Sequence, residues 1–326
     1  MKVGKLSHED LQNLVLNRLP PLPANVLQGP GIGLDCASVR FNDGQVVLSC
    51  DPITGAASDI GRLCVHIACN DIAACGVRPS VLMLVLIAPL SCTPDQIVKI
   101  VEQASDTAKS LNVAIVGGHT EISDSVNRFV MVATAIGFTY GDSVTNPGGG
   151  LAGDTICMTK TAGIEGSVIF ARDHREKLSQ HLSENQLDAA AALIDSISVI
   201  EEGTLGRRMN VHAMHDATEG GILGACWEIA EACGLGCVID LDQIPVDQLT
   251  QQICAALGVD PYRLISSGSL ILVTSEPDQL IDEMAQKGIL CTPIGRLTEC
   301  PERLIHQSDV LQPLEPPGPD PLYKID

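Results

Sequence analysis

The chain has 326 residues and a mass of 34.4 kDa, which suits two domains of ordinary size and excludes a small scaffold that depends on disulfide staples. Hydrophobic residues make up 45% and charged residues 18%, the composition of a folded chain rather than a disordered one. Forty acidic against twenty basic side chains leave a net charge of −20. That field repels nucleic-acid backbones and anionic membranes, and its carboxylates suit hard divalent cations.

Thirteen cysteines are an odd number, and no C-x-x-C pair occurs among them. Neither a complete disulfide framework nor the usual zinc spacing fits. Reduced thiols such as Cys64, Cys69 and Cys75, set in apolar runs, act as small hydrophobes, and the expected location is the cytoplasm. Residues 1–20 are charged and amphipathic with no apolar core of a secretory signal. The longest apolar run, residues 81–89 (VLMLVLIAP), is too short to span a bilayer and reads as a buried strand.

In chain order, Ser7 to Asp10 resemble a capping box before a short helix, and residues 28–51 alternate Gly-rich turns with strand-like runs such as 45–50. Ser58 precedes a helical pattern carried by Ile60, Leu63, Cys64 and Ile67, running to about Gly76. The 81–89 strand follows. Thr93, Pro94 and Gln96 then start a helix whose apolar set is Ile97, Ile100, Val101, Ala104 and Ala108. A strand at 113–116, a loop at 117–121 and a strand at 129–138 complete the first half. Residues 146–154 (NPGGGLAGD) mark the expected boundary, dividing the chain into domains 1–150 and 151–326. The second half repeats the mixture: a strand at 155–160, helical segments at 183–196, a loop at 215–221, a helix to about Cys233, then strand, helix, strand, helix and strand to Gly295. The Pro-rich tail, 313–321, is expected to be extended.

Several acids stand out. Asp71 lies eleven residues after Ile60, close to three helical turns, so it shares the inward stripe with Cys64 and Ile67. A buried carboxylate there needs a cation, a metal or backbone donors; a helix-end Asp paired with Arg62, Arg78 or a cap is the structural alternative. Asp51 ends a strand, where ligands of α/β structures often sit. Asp59 begins the 60–76 helix as either a cap or a ligand. Asp35 sits in a Gly-rich segment, Gly31 to Ala37, that serves either close ligand approach or a tight turn. Gly117-Gly118-His119-Thr120-Glu121 follows an apolar strand as a phosphate or metal loop, or a plain turn. Residues 215–221 (HDATEGG) bring Asp216 to the start of the following helix. Walker A, dinucleotide, nucleophile-elbow and zincin motifs are all absent.

Taken together, residues 31–39, Asp51-Pro52, the segment from Asp59-Ile60-Gly61-Arg62 to Asn70-Asp71-Ile72-Ala73, residues 117–121 and residues 216–221 resemble the aminoimidazole-ribonucleotide-synthetase-like (PurM-like) superfamily. The resemblance covers nearly the whole chain, in order. Within that superfamily, residues 59–63 (DIGRL) with 70–73 (NDIA), the Thr159-Lys160 and Gly163-Ile164-Glu165-Gly166 segment, residues 216–221 (DATEGG) and Ser266-Ser267-Gly268-Ser269 look most like the HypE branch, the hydrogenase maturation proteins. This resemblance implies a two-domain α+β fold whose N-terminal domain contributes to a dimer-spanning β-barrel, with a C-terminal α+β domain closing the active site. It implies ATP and Mg²⁺ as cofactors, with Asp35, Asp51, Asp71 and Asp216 as metal ligands. Gly117, Gly118, His119, Thr120, Asp59 and Asn70 would lie around the nucleotide.

The implied activity is transfer of a phosphoryl group to, or dehydration of, a small-molecule or protein-borne substrate, in a homodimer with a maturation-factor partner and with no nucleic acid or membrane. Thiamine-monophosphate kinase and aminoimidazole-synthetase chemistry, or nucleotide binding without catalysis, are the alternatives. No general base is assigned. Three positions depart from the HypE pattern. The chain ends Tyr323-Lys324-Ile325-Asp326 with its last cysteine at Cys300, Leu34 replaces the first acid of a paired-Asp motif, and His119 stands where an acid is common.

Overall fold

The computed structural model describes residues 8–54, 56–140 and 144–325; Ser7, of the expected capping box, lies outside them. Instead of one regular helix, the chain opens with an α-turn at His8–Asp10, a π-helical stretch at Leu11–Val15 and a 3-10 turn at Leu16–Arg18.

The first six strands are β1 (Val26–Gln28), β2 (Ala37–Phe41), β3 (Gly44–Ile53), β4 (Pro79–Pro89), β5 (Ala114–Ser123) and β6 (Val130–Tyr140). They form one sheet in the order β1-β2-β3-β6-β4-β5, antiparallel except for the β4–β5 pair. Parallel neighbours need a crossover, and the helix α2 (Pro94–Ser110) supplies it. Thr93 and Gln96 close the expected capping box at its start. Ile100, Ala104 and Ala108 are buried, whereas Val101, expected on the same stripe, is exposed.

The helix α1 (Ile60–Ala74) is buried on nearly every side. It packs on β3 and β6, on α2, and on the Ile200–Arg208 helix of the second half. A side chain at Gly203 would put its Cβ 2.0 Å from the Ala73 carbonyl oxygen, so only glycine allows this backbone-to-backbone approach.

The second sheet contains β7 (Thr155–Thr159), β8 (Ala213–Asp216), β9 (Gly236–Asp240), β10 (Leu270–Thr274), β11 (Cys291–Thr298), β12 (Arg303–Gln307) and β13 (Val310–Pro313). Their order is β13-β12-β9-β11-β7-β10-β8, with only the β12–β9 pair parallel. Two helices matter for the site: α3 (Ile164–Asp173) directly after β7, and α4 (Gly221–Cys233) directly after β8. After Pro313 the tail carries no regular element, and bends at Pro319, until a 3-10 turn at Pro321–Lys324. All thirteen cysteines are free thiols. No helix among the described residues is long and apolar enough to cross a membrane.

The expected loops at 117–121 and 215–221 are partly strand. Residues 117–121 belong to β5, because Met83 to Ile87 of β4 pair with them in register through Gly117 to Glu121. Gly118 has φ 153°, and a Cβ there would sit 1.8 Å from the Leu84 carbonyl oxygen. The glycine is therefore required by close strand approach. His215 and Asp216 close β8, paired with Ile271 and Leu270 of β10.

Candidate active site

Asp35 precedes β2, Asp51 is in β3, Asp71 is in the last turn of α1, and Asp216 ends β8. The fold gathers these four acids from 182 residues of chain. Asp71 is 3% exposed and accepts a short hydrogen bond from the Ser49 hydroxyl. Burial raises its carboxyl well above the usual carboxylate range, and the neighbouring acids Asp216, Asp51 and Asp35 push in the same direction, Asp51 through direct side-chain contact. Neither expected arginine pairs with it: Arg62 binds Asp195 and Arg78 binds Glu201. A buried carboxyl crowded by other acids is the electrostatic setting in which a hard cation binds oxygen ligands.

Asp35, His215 and Asp216 each offer a ligand atom within 4.8 Å of the others. His215 Nδ1 lies 2.8 Å from the Asp35 carboxylate and its Nε2 lies 3.1 Å from Glu228 Oε2. Both ring nitrogens face acceptors, and only an imidazolium donates from both. Burial opposes that charge, but Asp35 and Glu228 outweigh it and hold the pKa well above the usual value. Glu228 extends the chain of contacts to His8, 3.4 Å away, whose ring lies tilted against Trp227 with centroids 5.0 Å apart. His215 thus orients Asp35 and balances part of the acidic charge. Its role was not visible in the sequence, because its partners lie in α4 and 180 residues away.

A cavity of about 780 Å³ opens beside the acids, lined from the first domain by Asp51, Thr54, Ile67 and Arg128 and from the second by Glu165, Thr218, Glu219 and Ser267. The C-terminal turn closes one side with Leu322 and Tyr323. Tyr323 donates to Glu219 at 3.0 Å, and the buried Asp320 anchors the turn by accepting from the Gly220 and Leu322 amides.

The remaining expected site residues sit elsewhere. Asp59 occupies the N-cap of α1 without making a cap hydrogen bond; it pairs with Arg172 at 3.2 Å and accepts from Gln103. Gly117, Gly118, His119 and Thr120 lie on the exposed strand β5 and do not line the cavity. Asn70 is fully buried, its amide donating to the Ile197 carbonyl and accepting from the Val199 amide, both at 2.9 Å. That side chain is committed to joining the two domains. Asn70→Ala is expected to lower stability by about 2–4 kcal/mol, since it strands two buried backbone groups. Urea denaturation checks this, with Mg·ATP affinity expected to stay within about twofold.

Two consecutive family models match this chain: AIR synthase related protein, N-terminal domain, over residues 33–139, and AIR synthase related protein, C-terminal domain, over residues 152–307. The chain belongs to the AIR synthase related, PurM-like family. It is similar to a hydrogenase expression/formation protein of Methanocaldococcus jannaschii, 30% identical over 84% of this chain and 81% of that protein. Among solved structures, hydrogenase maturation protein HypE in complex with ATP superposes with a TM-score of 0.70 at 19% identity, covering 98% of this chain and 97% of that one. A HypE–HypF complex gives 0.72 at 20% identity, covering 86% and 93%. Thus the chain shares the PurM-like two-domain α+β architecture.

Proposed function

We propose that this protein binds Mg·ATP and transfers a phosphoryl group to, or drives dehydration of, an acceptor held in the 780 Å³ cavity. The reading is carried by one observation: Asp51 lines that cavity, and it belongs to a cluster in which Asp71 is buried among Asp51, Asp35 and Asp216 from both domains. Asp35, Asp51, Asp71 and Asp216 would hold the metal, all through oxygen atoms as Mg²⁺ prefers. Bound there, Mg²⁺ would supply charge neutralisation for the triphosphate. His215 holds Asp35 in place, and Arg128 brings the one basic side chain among the described lining residues. The solved HypE bound to ATP supports this choice of nucleotide, and the HypE–HypF complex supports a maturation-factor partner.

The working unit is proposed to be a homodimer. The face of the first sheet away from α1 and α2 exposes Met83, Val116, Phe138 and Tyr140, beside a β5 that is exposed along its length. An apolar sheet face with an open edge favours association with a second copy. In this reading Gly117 to Thr120 approach a nucleotide only from that interface.

Calorimetry with Mg·ATP, together with detection of ADP and sedimentation velocity, tests the proposal. Micromolar binding that requires Mg²⁺, slow ADP formation and a two-chain species are expected. Absence of binding at millimolar Mg·ATP overturns the reading. Binding without any ADP would instead favour a nucleotide-binding protein without catalysis.

A further inference from the structure

We propose that Glu165 is the catalytic proton acceptor of this site, taking the proton from a neutral hydroxyl, amine or carboxamide group that receives the phosphoryl group. The inference rests on the Mg·ATP reading and adds the residue and substrate class that it lacks. Glu165 lies in the first turn of α3 and is 3% exposed. Glu165 lines the same cavity as Asp51, so an acceptor group between them would face the proposed metal ligand Asp51 on one side and Glu165 on the other. Oε2 is buried and makes no hydrogen bond among the described residues. A buried carboxyl oxygen with nothing to accept from is a position that folding alone does not favour.

The surroundings suit a base at neutral pH. Burial, offset in part by the Ser267 hydroxyl and reinforced by the acids Asp320, Glu219 and Asp216, pushes the Glu165 carboxyl up to about 7. These come from every side: Asp320 from the C-terminal turn, Glu219 from the β8–α4 connection, Asp216 from β8 and Ser267 from the segment before β10. A pKa near the working pH maximises proton transfer by a general base. The same acids disfavour an anionic acceptor and favour one that donates hydrogen bonds.

In the step, the acceptor O–H or N–H proton moves to the Glu165 carboxylate as the acceptor heteroatom bonds to the γ-phosphorus. The bond from that phosphorus to the bridging oxygen breaks, ADP leaves with the electron pair, and Glu165 returns the proton to solvent.

The test compares wild type, Glu165→Gln and Glu165→Asp as full chains, with Mg·ATP as the probe and water as acceptor. Wild-type ADP formation is expected to rise with pH and level off above about 7. Glu165→Gln should lose about 100-fold in rate with a flat pH profile, while Mg·ATP affinity measured by calorimetry stays within about twofold. Glu165→Asp should lose about tenfold and keep the pH dependence. A second readout is independent of turnover. The carboxyl favours its protonated form in the fold, so wild-type stability falls as pH rises from the ordinary glutamate range through about 7. The melting temperature of Glu165→Gln should therefore exceed that of wild type at pH 8 and match it near pH 5. Equal rates and pH profiles in wild type and Glu165→Gln, a flat profile in Glu165→Asp, or superimposable melting curves at every pH each overturn the assignment of Glu165. Failure of wild type to bind Mg·ATP overturns the underlying functional reading instead.

Discussion

Asp71→Asn is expected to weaken Mg·ATP binding roughly 100-fold, about 2.7 kcal/mol, and at the same time to raise the melting temperature of the metal-free protein at pH 8. Both effects have one cause. Asp71 is buried, and its carboxyl is pushed well above the usual range by burial and by Asp216, Asp51 and Asp35. A carboxyl raised in the folded state stabilises the fold only while protonated, and that contribution is lost as pH climbs through the folded-state pKa. At pH 8, above the ordinary carboxylate range, a carboxyl raised in this way costs the apoprotein stability, and in the proposed site a bound cation offsets that cost. Asparagine keeps the shape and can still accept from Ser49, so it removes the repulsion together with the ligand. Mg·ATP should raise the wild-type melting temperature and leave that of the variant nearly unchanged. Calorimetry and thermal melts at pH 8 and pH 4 measure this. Unchanged affinity would falsify the assignment of Asp71 to the metal.

Lys160→Met should produce the largest loss of stability, roughly 3–5 kcal/mol, the usual cost of leaving a buried charge without its partner. Lys160 Nζ lies 2.6 Å from Glu202, which is almost fully buried, and donates to the carbonyls of Ser196, Ser198 and Gly268 at 2.7–3.0 Å. One ammonium therefore ties the end of β7 to the 196–198 segment and to the turn that carries Ser267. Asn70 grips the same stretch from α1 at Ile197 and Val199, so the two side chains fasten one strap. Lys160→Met with Glu202→Gln should recover part of the loss, because the second change removes the orphaned charge. Urea denaturation of the single and double variants measures the coupling; equal stability of the two would mean that the carbonyl contacts, and not the ion pair, carry the effect.

Local periodicity made α1 and α2 legible. The eleven-residue spacing from Ile60 to Asp71 put that acid on the inward stripe, and the Thr93–Gln96 pattern marked the start of a helix without reference to the rest of the chain. Periodicity did not anticipate that α1 is enclosed all round. That follows from the second domain pressing its Ile200–Arg208 helix onto Ala73 through Gly203, a contact no single segment encodes. Paired glycines at 117–118 read equally as a ligand loop or a turn. Their pairing with β4 decided for strand, since an edge residue is recruited by whatever backbone lies beside it.

By itself, the order of the amino acids determined the two α+β halves, the inward aim of Asp71 and membership of the PurM-like family, because helical stripes and short motifs depend on neighbours a few positions apart. Only the tertiary structure decided that His215 joins Asp35 to Glu228, that Asn70 and Asp59 serve contacts between the domains, and that Glu165 shares a cavity with Asp51. Each of these depends on which charges lose their water together, and burial and charge pairing are set by residues distant in the chain.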